Sequence, residues 1–328
     1  MRTATVSGEA ARSRGLARIT DFREFMILMV IVAASIIMSI ASPYFLTRMN
    51  ILANLLSVSI ECIVAVGMTV LMVSGGFDMS VGSTVALCGA AGAMAMRAGI
   101  PVLPAILIAL AVGTLVGLIN GLLIAKVGIN PFITTLGMMS VLRGILLVVT
   151  QARNITGLPQ SFRIIGQGNF LGIQYPIIIA LVFLIVGDIL LRKSRFFRQN
   201  YYIGGNRQAA RLSGINVDGI TIFNYALTGF LAALAGLVMT ARLGAASVTA
   251  GTGLELKVIS AVIIGGASLS GGEGTVIGSF LGALLMAIIT NALTLLGVDV
   301  YWNEFVIGAT LLLAVAVDVI GGKRRQKA

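Results

Sequence analysis

Long apolar runs dominate the chain from residue 25 onward. A helix needs about 20 apolar residues to cross the hydrocarbon core of a bilayer. The hydropathy pattern predicts ten such segments: Phe25–Leu46, Ile51–Val73, Val81–Met96, Val102–Ala125, Pro131–Thr150, Tyr175–Leu191, Gly219–Ala241, Leu256–Ser268, Thr275–Leu296 and Trp302–Ile320. The third and the eighth are short and border glycine-rich stretches, which is typical of broken or re-entrant helices. The predicted fold is therefore all-α, a polytopic membrane helix bundle of about ten transmembrane helices.

Composition supports the same class. Hydrophobic residues make up 58% of the chain and charged residues only 11%, whereas soluble domains carry roughly 45–50% and about 25%. The net charge of +11 does not indicate nucleic-acid binding, because the cations stand at the ends of apolar runs, where membrane topology requires them. We therefore expect membrane lipid around the chain and no nucleic acid.

Lysine and arginine positions predict the orientation. Of the 23 basic residues, sixteen fall on one side of the ten predicted segments, six on the other, and Arg143 lies within a segment. Because cytoplasmic loops carry the excess of Lys and Arg, both termini of this multi-pass chain are expected in the cytoplasm. The chain then divides into an N-tail (1–24), a transmembrane domain (25–320) with an inner loop (192–218), and a C-tail (321–328).

Several chemistries are excluded by absent residue types. The chain has no histidine, so a Ser-His-Asp triad, an imidazole relay and a histidine metal site are ruled out. Cys62 and Cys88 lie in apolar runs and form no metal or redox motif. No G-x-x-x-x-G-K-[ST] loop is present to hold ATP. No catalytic, metal or cofactor site is predicted, and a membrane-embedded enzyme is disfavoured.

Two glycine-rich interruptions share the frame G-G-x-x-[ML]-S-x-G, one starting at Gly75 and one at Gly265. Irregular backbone at membrane depth is tolerated only where it is buried in protein or lines a water-filled cavity, and paired interruptions point to a substrate path. Close helix packing by glycine is the other interpretation, and it stays open. With polar residues from neighbouring segments, the candidate path or gate comprises Gly75, Gly76, Asp78, Ser80, Asn120, Thr134, Thr135, Gly265, Gly266, Ser268 and Ser270.

Two charges are predicted inside the bundle at similar depth, Glu61 and Arg143. Intramembrane charges usually pair, so an ion pair between them, direct or through one water, is expected. A structural role and a substrate role are both open. One pair is too little for an ion pump. The other polar residues of the segments are neutral, which suits a sugar or polyol but equally suits hydrogen bonds between helices.

The inner loop contains a short capped helix. Asn206 is a favourable N-cap and Gly214 a favourable C-terminal stop, so about seven helical residues are predicted between them. A helix this short is marginal alone, and its Ala209, Ala210 and Leu212 surface is a candidate for docking on a partner. An ordinary surface helix in a basic loop is the alternative.

Four ordered motifs resemble the permeases of sugar-type ABC importers, the family of ribose, xylose, arabinose and galactose permeases. The motifs are the inner-loop sequence Gly204–Val217, the first interruption Gly75–Ser83, the pair Asn120-Gly121 followed by Ile129–Gly137, and the second interruption within Val262–Thr275. The resemblance covers nearly all of the chain beyond the N-tail, and it does not specify the sugar.

The resemblance implies a dimer of permease chains in a bacterial inner membrane, expected here as a homodimer, with two ATPase subunits on the cytoplasmic side and a periplasmic sugar-binding protein outside. ATP with magnesium is then bound by the partner ATPase and no cofactor by this chain. It also implies that the inner-loop helix seats in the ATPase. The expected coupling residues are Gly205, Asn206, Ala209, Ala210, Arg211, Leu212, Ser213 and Gly214.

Four cations at outer ends are candidates for steering an acidic rim of the binding protein: Arg48, Arg97, Arg153 and Arg163. Unpaired loop charge is the alternative interpretation of all four. For the chain as a whole, an ion-coupled secondary carrier and a passive facilitator for a neutral solute remain alternatives to the importer subunit.

Overall fold

The structure is a computed structural model that describes residues 24–299 and 301–327, with side chains described as far as residue 316. Thirteen helices lie in this part of the chain: α1 (Glu24–Ala41), α2 (Arg48–Val73), α3 (Val81–Arg97), α4 (Val102–Leu122), α5 (Pro131–Thr150), α6 (Gln160–Gln167), α7 (Tyr175–Lys193), α8 (Arg195–Gly205), α9 (Arg207–Leu212), α10 (Val217–Leu243), α11 (Leu254–Ile264), α12 (Val276–Leu295) and α13 (Trp302–Lys327). A π-helical turn, Leu123–Val127, extends α4. A two-stranded antiparallel hairpin pairs β1 (Asn169–Phe170) with β2 (Ile173–Gln174).

The prediction of an all-α polytopic membrane protein is confirmed. Seven described helices are long and apolar enough to cross a membrane, namely α1, α2, the α4 segment with its π turn, α5, α7, α10 and α12. The first segment is shorter than predicted, because its helix ends at Ala41 and Pro43 disfavours helical backbone at the preceding residue. Most of the predicted N-tail and the C-tail side chains lie outside the described residues.

The short third and eighth segments are short in the structure as well. α3 has 17 residues and α11 has 11. At 1.5 Å per residue, α11 is roughly 16 Å long, which is well below the thickness of about 30 Å of the hydrocarbon core. Each helix is separated by a glycine-rich turn from the long helix next to it in the chain.

The centre of the bundle is α10, which packs against α2, α3 and α4. Its most extensive contact is with α4, where Gly113, Gly117 and Gly121 recur every four residues along one face. A methyl group at Gly113 would collide with the backbone of Gly229, and one at Gly117 with the backbone of Tyr225. Small residues at this spacing let two helix backbones touch, so this contact fixes α10 rigidly to α4.

Three elements of the fold differ from the predicted ones. The outer segment between α5 and α7, predicted as a loop, contains α6 and the hairpin, and the inner loop contains α8 before the predicted α9. Phe162 of α6 is fully buried, and Phe196 and Phe197 of α8 stack edge-on with each other and with Phe223 of α10. α6 is anchored to the bundle by the buried Phe162, and α8 by Phe197, which packs partly buried against the core.

Candidate functional site

The two glycine-rich interruptions meet at one end of the bundle. The backbone N–H of Gly272 donates to the Val73 carbonyl at 2.8 Å. A methyl group added at Gly271 would touch the backbone of Gly204 and of Gly75. Gly75, Gly204 and Gly271 therefore bring three chain segments into backbone contact, an arrangement we call the glycine joint. It connects both interruptions to α8, which leads directly into α9.

Beside this joint, the first interruption forms a buried polar cluster. Asp78 accepts hydrogen bonds from the Ser80 N–H at 2.7 Å and the Ser80 hydroxyl at 2.6 Å. Asn120 of α4 donates to Ser80 at 3.1 Å and to Asp78 at 3.4 Å. All three side chains are at most 2% exposed. Tyr225 of α10 donates to the Phe77 carbonyl at 3.0 Å, so the cluster holds the interruption against α4 and α10.

The predicted polar path residues around the first interruption fall into two groups. Asp78, Ser80 and Asn120 form one closed cluster, and Thr134 and Thr135 are buried in the first turns of α5, whose Phe132 ring lies 6.3 Å from that of Phe77.

The second interruption behaves differently. Gly265 packs backbone to backbone against Gly278 of α12. At this position glycine therefore serves close helix packing, which was the alternative to lining a path. Gly266 adopts a left-handed φ of 95° in the turn that follows. Ser270 is exposed, and its N–H donates to the Ser268 hydroxyl at 3.2 Å.

The predicted inner-loop helix is confirmed with its caps. α9 covers Arg207–Leu212, the Asn206 side chain accepts from the Ala209 N–H at 2.9 Å, and Gly214 adopts a left-handed φ of 81°. Leu212 is 91% exposed at the end of this helix. These local interactions are those that the sequence specified.

The expected docking surface of α9 needs one correction. Ala210 is only 4% exposed and packs inward with Ile203, Val217 and Ile220, so it does not contribute to an outward surface with Ala209 and Leu212. This inward face anchors α9 to the start of α10.

Charged groups reinforce this anchor. Asp218 in the first turn of α10 pairs with Arg211 of α9 at 2.6 Å and with Lys126 of the π turn at 3.5 Å. Both cations are largely exposed, so each pair contributes at most about 1 kcal/mol. These pairs act mainly by positioning, because the Asp218 carboxylate joins α9 and the π turn of α4 to the same turn of α10.

Tyr201 connects α8 to the segment before α12, since its hydroxyl donates to the Gly274 carbonyl at 2.8 Å. Burial raises the pKa of Tyr201 to about 12, so the hydroxyl keeps its proton at neutral pH.

At the same end of the bundle, Glu24 of α1 pairs with Arg192 at 3.0 Å and accepts a hydrogen bond from the Thr275 hydroxyl. Glu24, predicted as the last tail residue, is in fact the first residue of α1.

The predicted pairing of Glu61 with Arg143 is not seen as a direct ion pair. Arg143 donates to the carbonyls of Val248 at 2.8 Å and Ala250 at 3.2 Å, and no ion pair joins it to Glu61 among the residues with described side chains. Similar depth along two helices does not place two side chains on facing sides of them. The cation whose charge acts on Glu61 is Lys257.

The four outer cations lie at the end opposite the glycine joint. Arg97 and Arg153 line the same open groove, a space of about 480 Å³ between the end of α3 and the end of α5. Arg48 is exposed at the start of α2, whereas Arg163 is half-buried against the turn at Gly244. The structure therefore brings two of the four together.

Comparison with known proteins decides the family. A family model described as "Branched-chain amino acid transport system / permease component" matches residues 50–315. The chain belongs to this permease family. It is a multi-pass inner-membrane transport permease rather than an enzyme, and the resemblance drawn from its motifs is confirmed.

Curated relatives of the permease cover nearly its whole length. The ribose import permease protein of Escherichia coli K12 is 40% identical over 97% of this chain and 99% of its own. That of Bacillus subtilis 168 is 42% identical over 86% and 88%. The D-allose transport system permease protein of Escherichia coli K12 is 37% identical over 90% of each chain. No solved structure matches the chain.

Proposed function

We propose that the permease is the membrane subunit of an ATP-driven importer for a monosaccharide of the ribose class, delivered by a periplasmic binding protein. The observation that carries this proposal is α9, a capped helix with an exposed Leu212, anchored through Ala210 to the central helix. The names of the relatives, ribose and allose import proteins, support the sugar class. The chain itself lacks an ATP-binding loop of the G-x-x-x-x-G-K-[ST] type.

In this proposal α9, from Gly205 to Gly214, seats in a partner ATPase that binds ATP and magnesium. Closure of the ATPases on ATP moves α9, and through it α10. The glycine joint and the Asp78 cluster then form the cytoplasmic gate. A gate of this kind requires two packing states of the bundle, and the ATPase shifts the equilibrium between them. The joint suits it because its contacts are backbone contacts that can separate without side-chain repacking.

The orientation and helix count are part of the same proposal. Ten membrane segments result when α3, α11 and α13 are added to the seven long helices. Glu24 at the start of α1 lies beside Thr275 and Arg192, at the end that carries α9, so an N-terminus in the cytoplasm is consistent with an ATPase there. The chains are proposed to pair as a homodimer, with residues 25–320 as the permease domain and the basic tails outside the membrane.

At the opposite end, we assign the binding protein to the groove between Arg97 and Arg153. Two guanidinium groups beside an open space of about 480 Å³ suit an acidic side chain inserted from a partner, and such charge pairs steer association.

The test is uptake of labelled D-ribose into proteoliposomes that contain the permease, its co-purifying ATPase and the binding protein. ATP-dependent accumulation that stops when either partner is omitted is expected. Uphill uptake by the permease alone would overturn the proposal in favour of an ion-coupled carrier, and downhill uptake alone would favour a facilitator. L-leucine, tested in parallel, separates the sugar class from the substrate class in the family description.

A further inference from the structure

A polar cavity of about 150 Å³ lies between α2, α11, α12 and α13. A cavity of about this volume in another protein holds one benzene ring, so the space is on the scale of a single small ring. Asn54, Ser57 and Glu61 line it from α2, where a spacing of three and four residues places them on one helix face. Thr290 and Thr294 line it from α12.

Two opposite charges face this cavity. Glu61 and Lys257 both line it, and neither forms a hydrogen bond or an ion pair shorter than 4 Å with another residue whose side chain the structure describes. Intramembrane charges normally pair with each other or with backbone carbonyls, and they mark substrate paths. Arg143 follows this rule through two carbonyls. Glu61 and Lys257 instead leave their hydrogen-bonding capacity directed at the space between the helices.

The cavity has an open rim and a closed floor. Ser57 and Thr294 are exposed at the rim, whereas Met286 and Ile307 are each 3% exposed at the floor. Glu61 is the fourteenth residue of the 26-residue α2, so the cavity extends from the outer end of the bundle to its middle. The glycine joint closes the bundle at the other end.

The lining atoms match a neutral polyhydroxyl ring. Lys257 and Asn54 supply donors, and the Glu61 carboxylate supplies acceptors for neighbouring hydroxyls. Thr290 and Thr294 donate to the carbonyls four residues earlier, which leaves their hydroxyl oxygens as acceptors. Met286 and Ile307 offer an apolar floor for the C–H face of a ring.

We propose that this cavity is a monosaccharide subsite within the permease, with Glu61 and Lys257 as its principal polar contacts. The inference rests on the proposed function, since it assigns the sugar of that function to one place in the bundle. It is a subsite that the sugar occupies after release from the binding protein and before the glycine joint opens.

A bulky substitution tests the subsite in the reconstituted importer. Ser57→Phe places a phenyl ring at the rim of the cavity without changing charge and is expected to reduce D-ribose uptake at least tenfold, while ATP hydrolysis stimulated by the binding protein persists. Met49→Phe places the same phenyl side chain at a site on α2 that is 85% exposed and is expected to leave uptake unchanged. Glu61→Gln is expected to reduce uptake, whereas its matched control Glu304→Gln on α13 is not. Uptake by Ser57→Phe equal to that of Met49→Phe, with both proteins folded, would overturn the subsite.

A labelling experiment reads occupancy without transport. With Cys62 and Cys88 replaced by alanine, Thr290→Cys is exposed to a small water-soluble thiol reagent in the assembled complex with the binding protein. Millimolar D-ribose is expected to slow labelling severalfold, and L-leucine is expected to have no effect. Protection by leucine alone, or by neither compound, would overturn the subsite. Loss of wild-type ribose uptake with protection intact would instead count against the proposed function and leave the subsite standing.

Discussion

A methyl group at the glycine joint provides the sharpest test of the packing described above. In Gly204→Ala the new Cβ would overlap the Val73 carbonyl oxygen and the Gly272 nitrogen. Both are backbone atoms, and they are joined by a hydrogen bond of 2.8 Å, so neither can rotate away. In Gly205→Ala the same group meets no atom within 4 Å. The two substitutions are adjacent and chemically identical, and they differ in what the methyl touches.

The expected magnitude follows from two opposing contributions. Overpacking of this kind costs about 1–3 kcal/mol, while alanine in place of glycine favours helix by roughly 1 kcal/mol. The helix contribution is similar in both variants at the end of α8, so the difference between them isolates the steric cost. For a chain of this size about 2 °C of Tm corresponds to 1 kcal/mol, and Gly204→Ala should unfold about 2–6 °C below Gly205→Ala.

Thiol exposure supplies the assay. Cys62 and Cys88 are both free and buried, so a thiol-reactive fluorophore reports unfolding of the purified full chain in mild detergent at a fixed heating rate. Sugar transport per ATP, measured in the importer, should fall in Gly204→Ala as well, because an open joint does not hold the gate. If the two variants unfold within about 1 °C of each other, the close backbone contact of three segments is not present in the folded protein.

Three further outcomes are expected. Gly214→Pro should uncouple ATP hydrolysis from transport, because proline cannot adopt the left-handed φ of 81°. Gly214→Asn should retain coupling, because asparagine tolerates left-handed backbone. Full transport by the proline variant would contradict the role of α9. Tyr201→Phe should lower the free energy of unfolding by about 1 kcal/mol. Because the pKa of Tyr201 is about 12 in the folded protein and about 10 in the unfolded chain, the stabilisation by Tyr201 is complete below pH 10 and is lost towards pH 12. A pH series of Tm values should show this loss in the wild type and not in the variant. Arg97→Glu with Arg153→Glu should weaken docking of the binding protein, most strongly at low salt; equal affinity at all salt concentrations would disprove this site.

Much of the architecture could be predicted because it depends on local signals. The start of α5 at Pro131 and of α13 at Trp302 coincide with the predicted ones, since apolar runs and an Asn-Pro cap act within a few residues. The same holds for α9, whose Asn206 and Gly214 caps bond to atoms three residues away. Family membership also follows from motifs that are contiguous in the chain.

Only the tertiary structure decided which residues contact each other. Hydropathy determines how deep Glu61 lies but not the direction in which its side chain leaves the helix, so similar depth did not give Glu61 and Arg143 a direct ion pair. The same limit applies to Ala210, whose inward direction depends on Val217 and Ile220. The glycine joint joins residues about 70 to 200 positions apart, and no local signal encodes such a contact. Depth, caps and chain direction are one-dimensional properties and were determined by the sequence itself, whereas helix rotation and partner choice come from packing many helices into one volume.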